Sequence, residues 1–369
     1  MTTDVTGGEI RVLVLARYSR LAASTRYRFL QYFPLLEEQG FSFTVDTLLD
    51  DDYLTRLYAG QPVNKRTIVR SFAGRLRALL QGGHFDLLWL HFDPFPWAPA
   101  WWESLTLPRG VPYVVDLDDA MFHRYDEHAS GMVRRLLGTK IDRLMQGASA
   151  VIAGNDYIAT RARGAGAPLV EIVPTVVDLD RYQMRSFDAP PHSVFEVGWI
   201  GSPATAYNLQ VFRPALENLS TTHPVRLTTV GSGDIDLGKG IDHVVRPWSE
   251  ATEIHEIHGF DVGTMPLVDS PFERGKSGFK LIQCMACGIP VIASPVGVNV
   301  DIVEHGVNGF LASSQDEWHE ALRTLADNPA MRREMGVLGR RRVEMEYSLQ
   351  SAAPRLASVL RHVTTSREG

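Results

Sequence analysis

Short runs of apolar residues recur along the chain, and most are continuous rather than alternating. Such runs are typical of parallel strands that are buried on both faces of a sheet. The segments between them show the spacing of amphipathic helices, for example over 25–39, where Gly40 marks the end. The predicted strands are 10–16, 41–47, 85–91, 111–117, 148–153, 169–173, 195–200, 225–230, 243–245, 260–266, 290–294 and 309–312.

This alternation of strands and helices occurs twice, and it predicts an α/β protein with two tandem Rossmann-like, doubly wound parallel sheets. The polar, proline-bearing stretch 183–193 between the two series is typical of a linker. We therefore predict an N-terminal domain over 1–184, a C-terminal domain over 185–346 and a final helix within 347–369. The first eight residues are polar and predict a frayed tail.

Composition narrows the functional classes. The chain has 369 residues, 44% hydrophobic, with a formal net charge of -6, which gives nucleic-acid binding no electrostatic support at whole-chain level. No apolar run approaches the roughly 18–20 residues of a membrane span, and no signal peptide is recognisable at the start. Cys284 and Cys287 form a C-x-x-C pair, for which helix packing is favoured over a zinc or redox site because no second ligand pair accompanies it. These features favour a cytoplasmic protein.

The segment 276–297 is predicted to be a loop, a helix that ends at Gly288, and a buried strand. A helix N-terminus offers free N–H groups and positive dipole charge, so it suits a phosphate. Lys276, Lys280 and Gln283 have the spacing of one helix face. We expect the two ammonium groups near a diphosphate and Gln283 near a sugar hydroxyl. An ordinary solvated polar stripe is the alternative.

Four segments together resemble the family 4 retaining glycosyltransferases with the glycosyltransferase-B fold. The run GFKLIQCMACGIPVIASPVG at 278–297 resembles the nucleotide-sugar-binding segment of that family. The other three are IVPTVVDLDRY at 172–182, FDVGTMPL at 260–267 and NGFL at 308–311. The resemblance implies retaining, metal-independent transfer from a nucleotide-diphosphate sugar to an acceptor hydroxyl, with no cofactor. It also implies that the donor binds the second domain, that the acceptor binds the first, and that the last helix crosses back to the first domain.

The sequence departs from this family at its usual pair of glutamates, which fall here on Gly275 and Gln283. Gln283 can still hydrogen-bond a ribose hydroxyl, and Glu273 is the hypothetical substitute for the first glutamate. The family's phosphate-binding Arg/Lys pair is also missing, so we expect Lys276 and Lys280 to supply the positive charge that a leaving diphosphate needs. The expected donor-binding residues are Gly201, Ser202, Thr205, Gly231, Trp248, Arg274, Lys276, Ser277, Gly278, Phe279 and Gln283.

In the first domain, Asp116, Asp118 and Asp119 follow a buried strand and are expected at the carboxyl edge of the sheet. Asp118 occupies the place of a histidine that the family commonly carries near the reacting sugar. A D-x-D metal site and a helix N-cap cluster remain alternatives. The expected catalytic residues are Asp118, Asp119, Lys280 and Glu273. The expected acceptor-side residues are Arg17, Arg26, Asp116 and His123.

Two surface features remain open. Trp97, Trp101 and Trp102 predict either an aromatic platform for a sugar or lipid acceptor or, as the favoured alternative, packing of a loop on the core. A basic amphipathic helix predicted over 131–147 allows peripheral contact with the inner membrane face, although a solvated basic surface is favoured. The expected partners are a nucleotide-sugar donor and an unidentified saccharide, lipid-linked or small-molecule acceptor. A sugar-nucleotide-binding protein or epimerase of the same fold is the alternative function.

Overall fold

The computed structural model describes residues 9–187 and 193–365, so the predicted tail and part of the predicted linker lie outside the described residues. The chain forms two compact units. The first extends to Thr175 and resumes at Ala352, and the second is Val176–Ser351. The division therefore falls before the polar stretch around residue 184. The reason is that Val177 already belongs to the second unit, where its carbonyl accepts a bond of 2.8 Å from the amide of Leu349.

The sheet of the first unit has six parallel strands in the order β2-β1-β3-β4-β5-β6. The strands are β1 (Ile10–Tyr18), β2 (Phe41–Leu49), β3 (Leu87–His91), β4 (Tyr113–Leu117), β5 (Ala150–Ala153) and β6 (Val170–Ile172).

The sheet of the second unit also has six parallel strands, in the order β12-β11-β10-β7-β8-β9. The strands are β7 (Phe195–Ile200), β8 (Val225–Val230), β9 (Asp242–Arg246), β10 (Val262–Met265), β11 (Val291–Ala293) and β12 (Gly309–Leu311).

Helices connect these strands in both units. The earlier ones are α1 (Ala23–Arg28), α2 (Phe33–Glu37), α3 (Asp51–Tyr58), α4 (Lys65–Leu80), α5 (Ala100–Thr106), α6 (His123–Asp126), α7 (Gly131–Leu137), α8 (Lys140–Gly147) and α9 (Asp156–Gly164). The later ones are α10 (Arg213–Leu219), α11 (Glu253–His258), α12 (Pro271–Arg274), α13 (Phe279–Ala286), α14 (Asn299–Ile302), α15 (Gln315–Asp327), α16 (Pro329–Glu346) and α17 (Leu349–Thr365). Three 3-10 helices cover Leu30–Tyr32, Gly82–His84 and Pro203–Val211.

The predicted fold class is confirmed, and each predicted strand is present within a few residues of its expected bounds. The burial of the strands in the core explains why they could be predicted from the sequence. Residues such as Val12, Val14 and Leu90 in the first sheet and Val197 in the second have almost no exposed surface. Burial on both faces of a parallel sheet requires such continuous apolar runs.

Two predicted helices are wrong in extent. The helix expected over 25–39 is broken into α1, a 3-10 turn and α2, because Pro34 has no N–H to continue a helical ladder. The helix expected over 131–147 is two helices, since α7 ends at Leu137 and α8 begins at Lys140. Gly138 separates them.

One layer of helices covers a single face of the first sheet. The connections from β2 to β3, β3 to β4 and β4 to β5 all move in the same direction across the sheet. Because parallel crossovers are right-handed, α4, α5, α7 and α8 lie on the same face. Their inward side chains, including Leu79, Leu137 and Ile141, share one core cluster with the strands. Among the described residues, no helix is both long and apolar enough to span a bilayer.

Candidate functional site

Turns that follow β7, β8 and β9 meet at the carboxyl edge of the second sheet. A Cβ placed on Gly231 would lie 2.4 Å from the carbonyl oxygen of Gly201 and 3.0 Å from Cβ of Trp248. Gly231 also has φ +79°, in the left-handed region. A Cβ on Gly201 would lie 2.7 Å from Cε of Lys280. The structure thus brings together four of the residues that the sequence predicted for the donor site, from four separate elements.

The start of α13 lies beside these turns. Gly278 is its N-cap with φ +66°, and a Cβ there would lie 2.3 Å from Cδ1 of Ile302. Ser277 and Gly278 precede the helix and Phe279 is its first residue, so the positive end of the helix dipole, which favours an anion, lies here. The ammonium of Lys280 lies 5.3 Å from the ring centroid of Trp199.

Lys276 lies outside α13, so the expectation that it shares a helix face with Lys280 and Gln283 is wrong. The left-handed Gly278 ends the preceding loop, and the helix begins only at Phe279. The ammonium of Lys276 instead lies 4.5 Å above the ring of Phe272. Lys276 is close in sequence to the start of α13, but it does not belong to the helix face that carries Lys280 and Gln283.

Arg274 was expected to contribute charge to the donor. The structure pairs its Nε with Asp269 at 2.6 Å and its second guanidinium nitrogen with the other carboxylate oxygen at 2.9 Å. A hydrogen bond and the charge of Arg274 lower the pKa of Asp269. Much of the Arg274 charge is therefore compensated locally.

The carboxylate of Glu273 is buried and oriented by the 3-10 segment that follows the Gly201 turn. It accepts a hydrogen bond from the Tyr207 hydroxyl and a longer one, 3.5 Å, from Nδ2 of Asn208. Its Oε2 is buried and has no hydrogen-bond partner among the described residues. Burial and the bond to Glu273 raise the pKa of Tyr207 to about 12, so this half-exposed hydroxyl stays protonated at neutral pH.

Gln283 is the first member of a buried network. Its Nε2 donates to the Tyr182 hydroxyl at 2.7 Å, which donates to Oε1 of Glu253 at 3.1 Å. The indole Nε1 of Trp248 donates to Oε2 of the same glutamate at 3.0 Å. Arg181 forms a salt bridge with Glu253. This network fixes both Gln283 and the Trp248 ring, two predicted donor contacts.

Sequence reasoning missed Tyr182, Glu253 and Tyr207. Their partners lie 66 to 101 residues away along the chain in most of these bonds, as between Tyr182 and Gln283. Ser202 and Thr205 were predicted, and the Thr205 hydroxyl donates to the Ser202 carbonyl at 3.1 Å. That bond stabilises the turn after β7.

Cys284 of α13 and Cys287, the residue that caps this helix, are buried free thiols. A Cβ on Gly263 would lie 2.4 Å from Sγ of Cys284, so the thiol of Cys284 fills the space above β10. Burial raises the pKa of Cys284 to about 12 and also raises the pKa of Cys287. These are properties of packed, inert thiols, as the sequence analysis favoured.

Asp116 and Asp118, at the end of β4, have different surroundings. Asp116 is buried and accepts a bond of 2.7 Å from Nε of Arg28 and one of 3.2 Å from Nε1 of Trp89. Asp118 lies 3.5 Å from Nε2 of His91 on β3. Both ring nitrogens of His91 and Oδ1 of Asp118 are buried without a hydrogen-bond partner among the described residues.

The His91–Asp118 pair is therefore the part of this edge that still has unused hydrogen-bonding capacity. Burial alone would raise the pKa of Asp118, but the neighbouring His91, together with the charge of Arg28, outweighs it and lowers that pKa. The N-cap alternative does not fit, because the next helix begins at His123 with Phe122 as its N-cap. Asp119 is half-buried, and its carbonyl accepts the amide of Met121 at 2.7 Å.

The two arginines expected on the acceptor side, Arg17 and Arg26, are buried inside the first unit. Arg17 is buried against Asp93, and burial lowers its pKa. Arg26 donates to the carbonyls of Arg20 and Leu21 at 2.7 and 2.8 Å. Their charges stabilise the first β–α connection.

The acceptor-side aspartate and histidine also have partners inside the first unit. Asp116 forms a salt bridge with Arg28. The ring nitrogens of His123 lie 2.8 Å from Asp126 and 2.9 Å from the Tyr157 hydroxyl. No group of three His, Cys, Asp or Glu side chains within 9–187 and 193–365 is arranged to hold a metal ion.

Two family profiles match the chain, one on each unit. Residues 9–175 match a family described as glycosyl transferase 4-like domain. Residues 194–328 match a family described as glycosyl transferases group 1.

Known relatives agree with these profiles. D-inositol 3-phosphate glycosyltransferase 1 of Catenulispora acidiphila is 27% identical, over 77% of this chain and 74% of the relative. Sucrose-phosphate synthase from Thermosynechococcus elongatus has a TM-score of 0.71 at 16% identity, over 97% of this chain and 100% of that one. Anabaena HepE, solved with UDP and glucose, has a TM-score of 0.69 at 18% identity, over 96% and 100%. At such identities the two structures show a likeness of fold alone.

Proposed function

Because the chain belongs to the family 4 glycosyltransferases with the glycosyltransferase-B fold, we propose that it transfers a sugar from a nucleotide-diphosphate sugar to an acceptor hydroxyl with retention of configuration and without a metal ion. The protein is a glycosyltransferase that uses a sugar nucleotide. The donor binds the second unit, and the first unit provides the acceptor side.

One observation supports the donor site above others: Gly201, Gly231, Trp248 and Lys280 converge at the carboxyl edge of the second sheet. Because the two glycines have no side chain, the backbone of both turns can approach a ligand closely. Lys280 and the start of α13 add positive charge at the same place. A diphosphate is the ligand that uses all of these features, with the base beside Trp248.

In the proposed reaction, the bond between C1 of the sugar and the β-phosphate oxygen breaks, and its electron pair stays on that oxygen. Lys280 and the N–H groups that begin α13 stabilise the developing charge. The acceptor oxygen forms its bond to C1 on the face that the diphosphate leaves, which gives retention. The ionised carboxylate of Asp118 accepts the acceptor proton, with Asp119 beside it. Lys276 and Lys280 supply the positive charge for which other transferases use a metal.

At the sugar end, Glu273 acts through Tyr207 in this proposal. The phenol donates to the buried carboxylate, so its oxygen is polarised and available to accept a bond from a sugar hydroxyl. This arrangement replaces the family glutamate, whose position holds Gly275. The bonds from Gln283 to Tyr182 and from Tyr182 to Glu253 hold Gln283 in position to contact the ribose.

Isothermal titration with UDP and UDP-glucose tests the donor site, since the relative HepE was solved with UDP and glucose. Lys280→Met keeps the aliphatic stem beside Trp199 and removes only the charge. Loss of a charge-assisted contact of about 1.5–3 kcal/mol predicts roughly tenfold to hundredfold weaker binding. Lys239→Met, an exposed lysine of the same unit, is the matched control. Equal affinity in both variants would contradict the assigned role of Lys280.

Retention and metal independence, the remaining parts of the proposal, are tested on the transfer reaction and its product. Its anomeric configuration, read from the proton coupling constant by NMR, is expected to match that of the donor. Turnover is expected to be the same with EDTA as with added Mg²⁺. An inverted product or a strict requirement for the ion would refute the respective part while leaving the donor site intact.

A further inference from the structure

We propose that the outward surface of the helix layer on the first unit binds a bilayer that contains anionic lipid. This surface, named here the basic-apolar face, is formed by the exposed sides of α4, α5 and α7, together with Trp97 and Arg109 on the loops that flank α5. The inference is independent of the transfer reaction, because it rests on the side of the helix layer that faces away from the sheet. The argument begins with the apolar side chains.

Large apolar side chains on these helices are exposed rather than packed. Trp101 and Trp102 on α5 are 60% and 40% exposed, and Met132 on α7 is 72% exposed. The favoured expectation that these tryptophans pack on the core is therefore wrong. Further exposed members of the basic-apolar face are Val69, Leu80, Trp97, Leu105 and Leu136. Isolated exposed apolar residues are common, but a cluster on adjacent helices marks an interaction surface.

These helices are neighbours in space. The right-handed crossovers place α4, α5 and α7 on one face of the sheet. Lys140, at the start of α8, forms a salt bridge of 3.0 Å with Glu103 of α5. The ring of Trp97 lies 5.7 Å from that of His128, whose carbonyl accepts a bond from Arg134 of α7 at 2.6 Å. The exposed side chains therefore lie on neighbouring helices of one layer.

The charge of this surface has one sign, although the whole chain carries a net charge of -6. Neither 61–85 nor 129–141 contains an aspartate or glutamate, and the one acid within 94–115, Glu103, is buried against Lys140. The exposed cations of the basic-apolar face are Lys65, Arg66, Arg70, Arg77, Arg109, Arg134 and Arg135.

The combination of charge and apolar surface selects the partner. Tryptophan, leucine and methionine beside arginine on helices that lie along a surface are typical of interfacial membrane contact. Clustered cations attract anionic headgroups. A nucleic acid would use the charge but leave the aliphatic side chains in water. The basic-apolar face therefore fits the headgroup region of an anionic bilayer, with the aromatic and aliphatic side chains inserted.

Sedimentation of the full chain with vesicles tests this, using phosphatidylcholine alone and phosphatidylcholine with about one third phosphatidylglycerol. Binding is expected only with the anionic vesicles, and it weakens as ionic strength rises from about 0.1 M to about 1 M. Arg70→Gln/Arg135→Gln is expected to weaken partitioning about 25-fold, at about fivefold per cation. Met132→Ser is expected to weaken it by up to about tenfold.

Matched controls separate this surface from net charge and from general hydrophobicity. Arg333→Gln/Arg341→Gln removes the same charge from the second unit, and Met345→Ser removes an exposed methionine there. Neither control is expected to change vesicle binding. Circular dichroism verifies that each variant is folded.

Three outcomes would overturn the proposal. The first is no sedimentation with anionic vesicles at low salt. The second is an equal loss of vesicle binding in the variants of the basic-apolar face and in the control variants. The third is binding to an RNA oligonucleotide that competes with vesicles and is insensitive to Met132→Ser. Because the readout is vesicle binding, failure here leaves the proposed transfer reaction untouched.

Discussion

Replacing Gly231 by alanine is the sharpest test of the donor-site geometry. Gly231 has φ +79°, and the new Cβ would lie 2.4 Å from the carbonyl oxygen of Gly201. A Cβ contact below 3.0 Å essentially never occurs, so the Gly201 turn or the Gly231 turn has to move. Both turns are proposed to approach the diphosphate, so the displacement occurs where binding is most sensitive to position.

The size of the effect follows from two contributions. Left-handed backbone costs alanine about 1–2 kcal/mol, which shifts the melting temperature by a few degrees for a unit of this size. The steric contact adds a displacement of the turn, and a misplacement of about 1 Å can cost about a hundredfold in function. Gly231→Ala is therefore expected to lower UDP affinity about tenfold to hundredfold, more than its modest loss of stability would suggest.

Gly233→Ala is the matched control. Gly233 also has positive φ, +65°, but the nearest atom to its Cβ is Cγ of Pro203 at 3.2 Å. It carries the same backbone strain without the contact to the Gly201 carbonyl. Titration calorimetry and thermal unfolding on both variants separate the two contributions. If folded Gly231→Ala binds UDP as the parent chain does, or if both variants lose affinity equally, the assigned role of the Gly201 turn is wrong.

Three further predictions concern buried groups. Asp116→Asn leaves Arg28 buried without its carboxylate and is expected to destabilise the chain by about 3–5 kcal/mol in urea unfolding; a loss below about 1 kcal/mol would refute the buried pair. Because the pKa of Asp118 is lowered in the fold, its pairing with His91 stabilises the protein above pH 4, and this stabilisation is lost as pH falls through the folded pKa. The Asp118→Asn variant should lack this acid-dependent part of the stability curve, and an unchanged curve would exclude the pairing. With its pKa near 12, Cys284 should resist iodoacetamide at pH 8 until the protein unfolds, and rapid labelling of the folded chain would contradict its burial.

The strands were predictable because each contributes a continuous apolar run to a sheet buried on both faces. Glycine turns were predictable for a similar local reason, since Gly201 and Gly231 directly follow strands. The partners of buried charges were not, because Arg28 is neutralised by Asp116, 88 residues later. Distant pairing likewise hid Tyr182, which connects Gln283 to Glu253.

The last helix has a consequence for biosynthesis. Arg355 of α17 donates to the carbonyl of Ile172 at 2.5 Å, and Arg361 donates to that of Gln39 at 3.0 Å. Leu356 and Leu360 of the same helix are buried. The first unit is therefore completed by residues that are synthesised after the whole of the second unit, whereas domains usually fold in the order of their synthesis. During translation the second unit can finish folding while the first still exposes the surface that α17 will cover, so a nascent chain would depend on chaperones until α17 emerges.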